Sequence, residues 1–243
     1  MKTTTGPVHV ETQARSEPTV TGAIRSVTVK GPAGGLEAVL NLGAPDAPFA
    51  ALVCHPHPVL GGNLHNKVVY HAMKVFNDSA WGLGWPVLRF NFRGAGLSEG
   101  VHDGEAEAGD VLAALEWLDR EFQRPLFVAG YSFGAAMALR ACSGLNQTRA
   151  AGSRGAAKVR GLIALGLPTQ SFFYVLPRIL AIPKLFLSGD HDEFAPAAQI
   201  VEVAASAAEP KRLILLHGGD HSFTGQLAAM QQAMAEWLKE QLP

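Results

Sequence analysis

The sequence predicts an α/β fold with a mostly parallel sheet, an antiparallel N-terminal hairpin and helices on both faces, and three observations carry that prediction. From Phe49 onward, short continuous apolar runs alternate with amphipathic stretches, the pattern of buried parallel strands joined by crossover helices. The 243 residues are 48% hydrophobic and only 17% charged, so much of the chain must enter one large core, which excludes disorder. The 26 glycines and 15 prolines supply turns without forming a low-complexity run.

Residues 1–22 are rich in Thr, Ser, Glu and Pro and show neither period, which predicts a mobile tail ahead of a single domain over 23–243. Ser26–Lys30 and Leu36–Asn41 flank a Gly- and Pro-rich stretch and predict the hairpin. Further strands are expected at Phe49–Cys54, Val87–Phe92, Leu126–Gly130, Leu162–Gly166, Lys184–Ser188 and Arg212–Leu216. Apolar residues spaced three and four apart predict helices near 64–78, 105–122, 132–143, 196–207 and 224–241. Glu105 and Glu107 fall in the first turn of the second helix, where the positive dipole end tolerates acid, and they need no catalytic role.

Charge removes several functions. With 20 basic and 21 acidic residues the net charge is -1, so no global field gathers nucleic acid or anionic lipid, and neither is expected as a partner. Arg149, Arg154, Lys158 and Arg160 lie among Gly, Ala and Ser and read as a solvated loop. Cys54 and Cys142 are too few and too far apart for a stapled scaffold or a zinc ribbon, and read as small core residues. No apolar run approaches the roughly 18 residues of a membrane span and the N-terminus lacks an apolar h-region, so a cytoplasmic location is expected.

Chemistry in an open α/β sheet gathers beyond the carboxyl ends of the strands. After the strand ending at Ala129 comes Gly130-Tyr131-Ser132-Phe133-Gly134, then the start of a helix: G-x-S-x-G in a strand, turn and helix context. The turn is so sharp that side chains at the two glycines would strike neighbouring backbone, while Ser132 is held out at the helix N-terminus. A serine hydroxyl is a poor nucleophile at neutral pH and needs a histidine base oriented by a carboxylate. Beyond one strand lies Gly189-Asp190-His191-Asp192-Glu193, and beyond the next His217-Gly218-Gly219-Asp220-His221. His221 is preferred as the base because the preceding glycines allow a tight loop, whereas His217 sits at the strand end. Asp192 and Asp190 compete for the acid; Asp192 lies farther into its loop, and Asp190 is placed to shape the turn.

Acyl transfer also needs donors for the oxyanion. The Phe133 N–H supplies one, and in Cys54-His55-Pro56-His57-Pro58 the prolines have no N–H, which leaves His57 as the second. A rival reading takes His55 and His57 as a metal pair, with Asp192 and His221 as further ligands, but it leaves the serine turn unexplained. Asn91-Phe92-Arg93-Gly94-Ala95-Gly96 superficially suggests dinucleotide binding, yet the third glycine is one place late at Gly100. Arg93 fits a loop buttress as well as a substrate contact. Phe172, Phe173, Tyr174 and Leu176 fit an acyl-pocket wall or core packing equally.

With these residues assembled, the chain resembles the serine α/β-hydrolase superfamily over about residues 24–241. His55-Pro56-His57-Pro58, Gly61-Gly62-Asn63, Asn66-Lys67-Val68 and Leu88-Arg89-Phe90-Asn91-Phe92-Arg93-Gly94 look like a small bacterial branch related to dienelactone hydrolases. The resemblance implies nucleophile, acid and base at Ser132, Asp192 and His221, and an oxyanion segment at His55–Pro58. Dienelactone hydrolases proper use cysteine, so their substrate is not carried over. Only residues 167–182 are available as a lid, and the resemblance to cap-less members implies an open pocket. The expectation is therefore a serine hydrolase that cleaves a small or short-chain carboxylic ester through a Ser132 acyl-enzyme, without a cofactor. Its alternatives are a metal-dependent hydrolase and a non-catalytic scaffold of the same fold.

Overall fold

The computed structural model describes residues 23–81, 83–150, 158–170 and 180–242, with only the backbone of 145–150. The expected tail, the stretch from Phe172 to Leu176, Arg154 and the Arg149 side chain lie outside the described residues. Eight strands form one sheet in the order β1-β2-β4-β3-β5-β6-β7-β8. They are β1 (Ile24–Gly31), β2 (Gly34–Asn41), β3 (Ala50–Cys54), β4 (Val87–Phe90), β5 (Leu126–Tyr131), β6 (Val159–Leu165), β7 (Lys184–Gly189) and β8 (Lys211–Leu216). β2 pairs antiparallel with β1 and β4, and every other neighbouring pair is parallel. The described helices are α1 (Lys67–Asn77), α2 (Glu107–Phe122), α3 (Phe133–Ala150), α4 (Ala197–Ser206) and α5 (Leu227–Glu240).

Strand alternation divides the core into two layers. In β3, Ala50, Leu52 and Cys54 pack with α2, α3 and α4, while Ala51 and Val53 pack with α1 and α5. All five residues are buried, as a strand covered on both faces requires. That arrangement matches the expected fold class, and among the described residues no helix is long and apolar enough to cross a membrane.

Where boundaries depart from expectation, local bonding explains the difference. β4 ends near Phe90: the Asn91 N–H still bonds in register to Glu37 O of β2, but the Phe92 N–H turns to a histidine ring and leaves the ladder. The hairpin turns tightly through Pro32 and Ala33, its strands running on to pair Gly31 with Gly34. β6 starts at Val159, with Arg160 the single exposed residue in an otherwise buried strand. α3 runs through Gly144 to Ala150, since one exposed glycine costs a helix only about 1 kcal/mol. The expected basic loop is corrected accordingly: Arg160 lies on a strand and Arg149 on a helix.

Candidate active site

Ser132 occupies the turn between β5 and α3 with φ +54°, a left-handed conformation that side chains rarely adopt. Its N–H donates to Leu165 O at 2.8 Å, tying the turn to β6, and its carbonyl accepts from Ala135 N at 2.9 Å as α3 begins. A Cβ on Gly130 would lie 2.3 Å from Gly134 O, and one on Gly134 would lie 2.5 Å from His55 O. Both obstacles are backbone, so the spacing of the glycines is a steric requirement.

The loops after β7 and β8 touch. A Cβ at Gly189 would lie 1.9 Å from Gly219 O, and the His191 N–H donates to that oxygen at 2.9 Å. This contact sorts the two acids and the two histidines into separate pairs. Asp192, buried, places both carboxylate oxygens 2.9 Å from His221 Nδ1 and accepts from the Phe194 and Ala195 N–H groups at 2.9 and 3.0 Å. His221 Nε2 lies 3.0 Å from Ser132 Oγ. Asp190 instead pairs with the exposed His217 at 2.8 Å and accepts from Gly218 N, and the His217 hydrogen bond is the main force holding its carboxyl below the ordinary range.

Because Asp192 stands on the Nδ1 side, the imidazole turns Nε2 toward the serine. Phe194 and Tyr131 hold the ring, with centroids 4.7 and 5.2 Å away. Gly166, at φ +50°, completes the seat: a Cβ there would lie 3.2 Å from the His221 ring. Sequence reasoning missed that role, because a glycine after an apolar run signals only a strand end.

These side chains open onto a cavity of about 480 Å³ whose walls include His57, Tyr131, Phe133, Pro168 and Phe194 and, among the described residues, carry no Asp, Glu, Lys or Arg. His57 and Phe133, the two expected oxyanion donors, both line it, with their rings 5.1 Å apart.

His55 does not join them. Fully buried, it donates from Nδ1 to Pro56 O at 2.6 Å and accepts from the Phe92 N–H at Nε2 at 2.9 Å. Burial pushes its pKa down to about 4, and with both nitrogens engaged it presents no lone pair. The metal pair of the rival reading thereby loses a ligand, and among the described residues no group of three or more His, Cys, Asp or Glu is arranged to hold a metal. Arg93 is a buttress, its guanidinium bonded to the buried Asp110 at 2.6–3.2 Å. Both cysteines are buried, with Cys142 pushed up to about 12.

Comparison with known proteins agrees with this architecture. An uncharacterized protein of Rickettsia prowazekii is 32% identical over 222 residues, 86% of either chain. An α/β serine hydrolase without lid from Xanthomonas campestris superimposes with a TM-score of 0.78 and 29% identity, over 93% of this chain and 99% of its own. A dienelactone hydrolase from Anabaena variabilis, at 18% identity and a TM-score of 0.73 over 92% and 100% of the two chains, shares the fold. The model of the alpha/beta hydrolase domain matches residues 70–240, well over half the chain, and to that family this protein belongs.

Proposed function

We propose that the protein is a serine hydrolase that cleaves small or short-chain carboxylic esters, with Ser132 as nucleophile, His221 as base and Asp192 as orienting acid. The observation that carries this reading is the continuous chain from Asp192 through His221 to Ser132, at 2.9 and 3.0 Å, at the wall of an uncharged cavity. Family membership and the serine hydrolase neighbour support a hydrolase, and that neighbour's lack of a lid favours an open site.

In this reading His221 Nε2 takes the Ser132 proton as Oγ attacks the ester carbonyl carbon. The Phe133 and His57 N–H groups receive the oxyanion of the tetrahedral intermediate. Collapse expels the alcohol, which leaves with the proton from His221. Water then repeats the sequence on the acyl-enzyme, giving up a proton to His221 and releasing the acid and Ser132. Asp192 stabilises the imidazolium in each half. The uncharged walls favour substrates without charge beside the scissile bond.

A fluorophosphonate probe tests the reading, applied to the wild type and to Ser132→Ala, each with and without EDTA. Labelling of the wild type alone, unchanged by EDTA, is expected. Equal labelling of both proteins, or none of either, overturns it. Among fluorogenic esters of graded acyl length, the shortest should react fastest, and a preference for long chains defeats the short-chain assignment.

A further inference from the structure

Against His57 and Phe133 of the cavity wall lies a cluster to which the reaction above gives no task. Glu107, in the first turn of α2, is fully buried, and its carboxylate accepts from the Asp103 and Gly104 N–H groups at 2.8 and 2.9 Å. The same carboxylate lies 2.8 Å from His102 Nδ1, in close contact but without the alignment of a hydrogen bond. The loop that carries His102 is held from two directions. Gly104, at φ +97°, lets it wrap the carboxylate, and it passes so close to Gly94 that a Cβ there would lie 2.9 Å from His102 N.

The His102 ring meets both residues assigned to the oxyanion. Its centroid is 4.7 Å from that of His57 and 5.5 Å from that of Phe133, and those two are 5.1 Å from each other. The three rings form a closed triangle, each delivered by a different loop or turn: the one after β3, the one after β4 and the start of α3. Phe92 braces Phe133 from behind at 5.4 Å. The pairing of β3 with β5 and the close approach of Gly134 to the Cys54 and His55 carbonyls bring the two segments together, and the ring contacts beyond them tune the final spacing of the two donors.

We infer that His102, anchored by the buried Glu107, is a positioning residue that sets the spacing of the His57 and Phe133 amides around the oxyanion. It touches neither substrate nor Ser132 in this role. The inference rests on the serine hydrolase reading above. Emptying one corner of the triangle lets the other two rings close up and shifts the amides, and a misplacement of about 1 Å at a reacting centre costs on the order of 100-fold in rate. That loss falls on the transition state, where the oxyanion exists, and spares binding of the neutral ester.

The test compares wild type, Ser132→Ala, His102→Ala, His102→Asn and His102→Phe. It measures kcat and KM on p-nitrophenyl acetate and the affinity of a trifluoromethyl ketone, whose adduct with serine places an oxyanion in the hole. His102→Ala is expected to lower kcat about 10- to 100-fold and ketone affinity in proportion, with KM changed by less than about twofold. His102→Asn, which keeps a polar edge but no ring, should behave alike and replaces the alanine variant if that one does not fold. His102→Phe, which restores the ring, should stay within about threefold of wild type. A kcat within twofold of wild type in the ringless variants overturns the inference, as does a loss expressed in KM or a phenylalanine variant as impaired as alanine. An active wild type with these outcomes sinks the positioning role alone. An inactive wild type, or a Ser132→Ala protein that is equally active, sinks the serine reading and this role together.

Discussion

Phe92 donates its backbone N–H to His55 Nε2 at 2.9 Å, in a space closed to solvent between the ends of β3 and β4. That bond needs the nitrogen lone pair, and a proton there destroys it. Burial lowers the His55 pKa from 6.5 to about 4, so the unfolded chain takes up a proton on this residue before the folded one does. Folding stability therefore falls as pH drops from about 6.5 toward 4, and the residue makes no pH-dependent contribution above that window. Urea unfolding at pH 7 and pH 5 should show wild type losing about 2 kcal/mol more than His55→Gln, whose amide oxygen can accept the same N–H. Equal losses would place a proton on His55 in the folded protein.

At the serine turn, backbone strain and chemistry are separable. Ser132 sits at φ +54°, where a Cβ is costly and glycine is not. Ser132→Gly should be more stable than Ser132→Ala by about 1 kcal/mol in denaturant titration, while neither variant hydrolyses ester. An alanine variant as stable as the glycine one would remove strain from the account.

The two aspartates after β7 should respond in opposite ways to loss of charge. Asp192→Asn removes the acceptor for His221 Nδ1 and is expected to lower kcat about 10³- to 10⁴-fold with little change in KM. Asp190→Asn should leave kcat within about threefold, because its partners are His217 and Gly218 at the rim. Steady-state kinetics on one ester decides between them, and the reverse ranking makes Asp190 the acid.

Two glycines in α3 make a contrasting pair. A Cβ on Gly134 runs into two main-chain oxygens at 2.5 and 2.6 Å, so Gly134→Ala should cost about 3 kcal/mol or more and displace the serine turn. Among the described residues a Cβ on Gly144 meets nothing within 4 Å, so Gly144→Ala should add about 0.5–1 kcal/mol through helix propensity. Thermal unfolding of both variants checks the signs.

Local chemistry was readable in the chain because it acts over a few residues. Strand and helix periods located the elements to within a few positions, except where an exposed Arg160 broke an apolar run or a tolerated Gly144 hid the rest of α3. The strand, Gly130-Tyr131-Ser132-Phe133-Gly134 and helix sequence marked the sharp turn, because backbone crowding at both glycines is set within five residues and the strand beside them. His102 and Gly166 left no such mark, since neither belongs to a turn signature or a periodic run.

From the sequence alone came the fold class, the serine turn and the short set of acids and histidines placed beyond strand ends, all consequences of periodicity and turn sterics along one stretch of chain. Tertiary structure alone decided that Asp192 meets His221 while Asp190 meets His217, and that His55 is walled into the core while His57 faces the cavity. Those pairings depend on the register of β7 against β8 and on the contact between Gly189 and Gly219, distances fixed by strands tens of residues apart. Hydrophobic spacing within either strand is blind to which loop its neighbour presents.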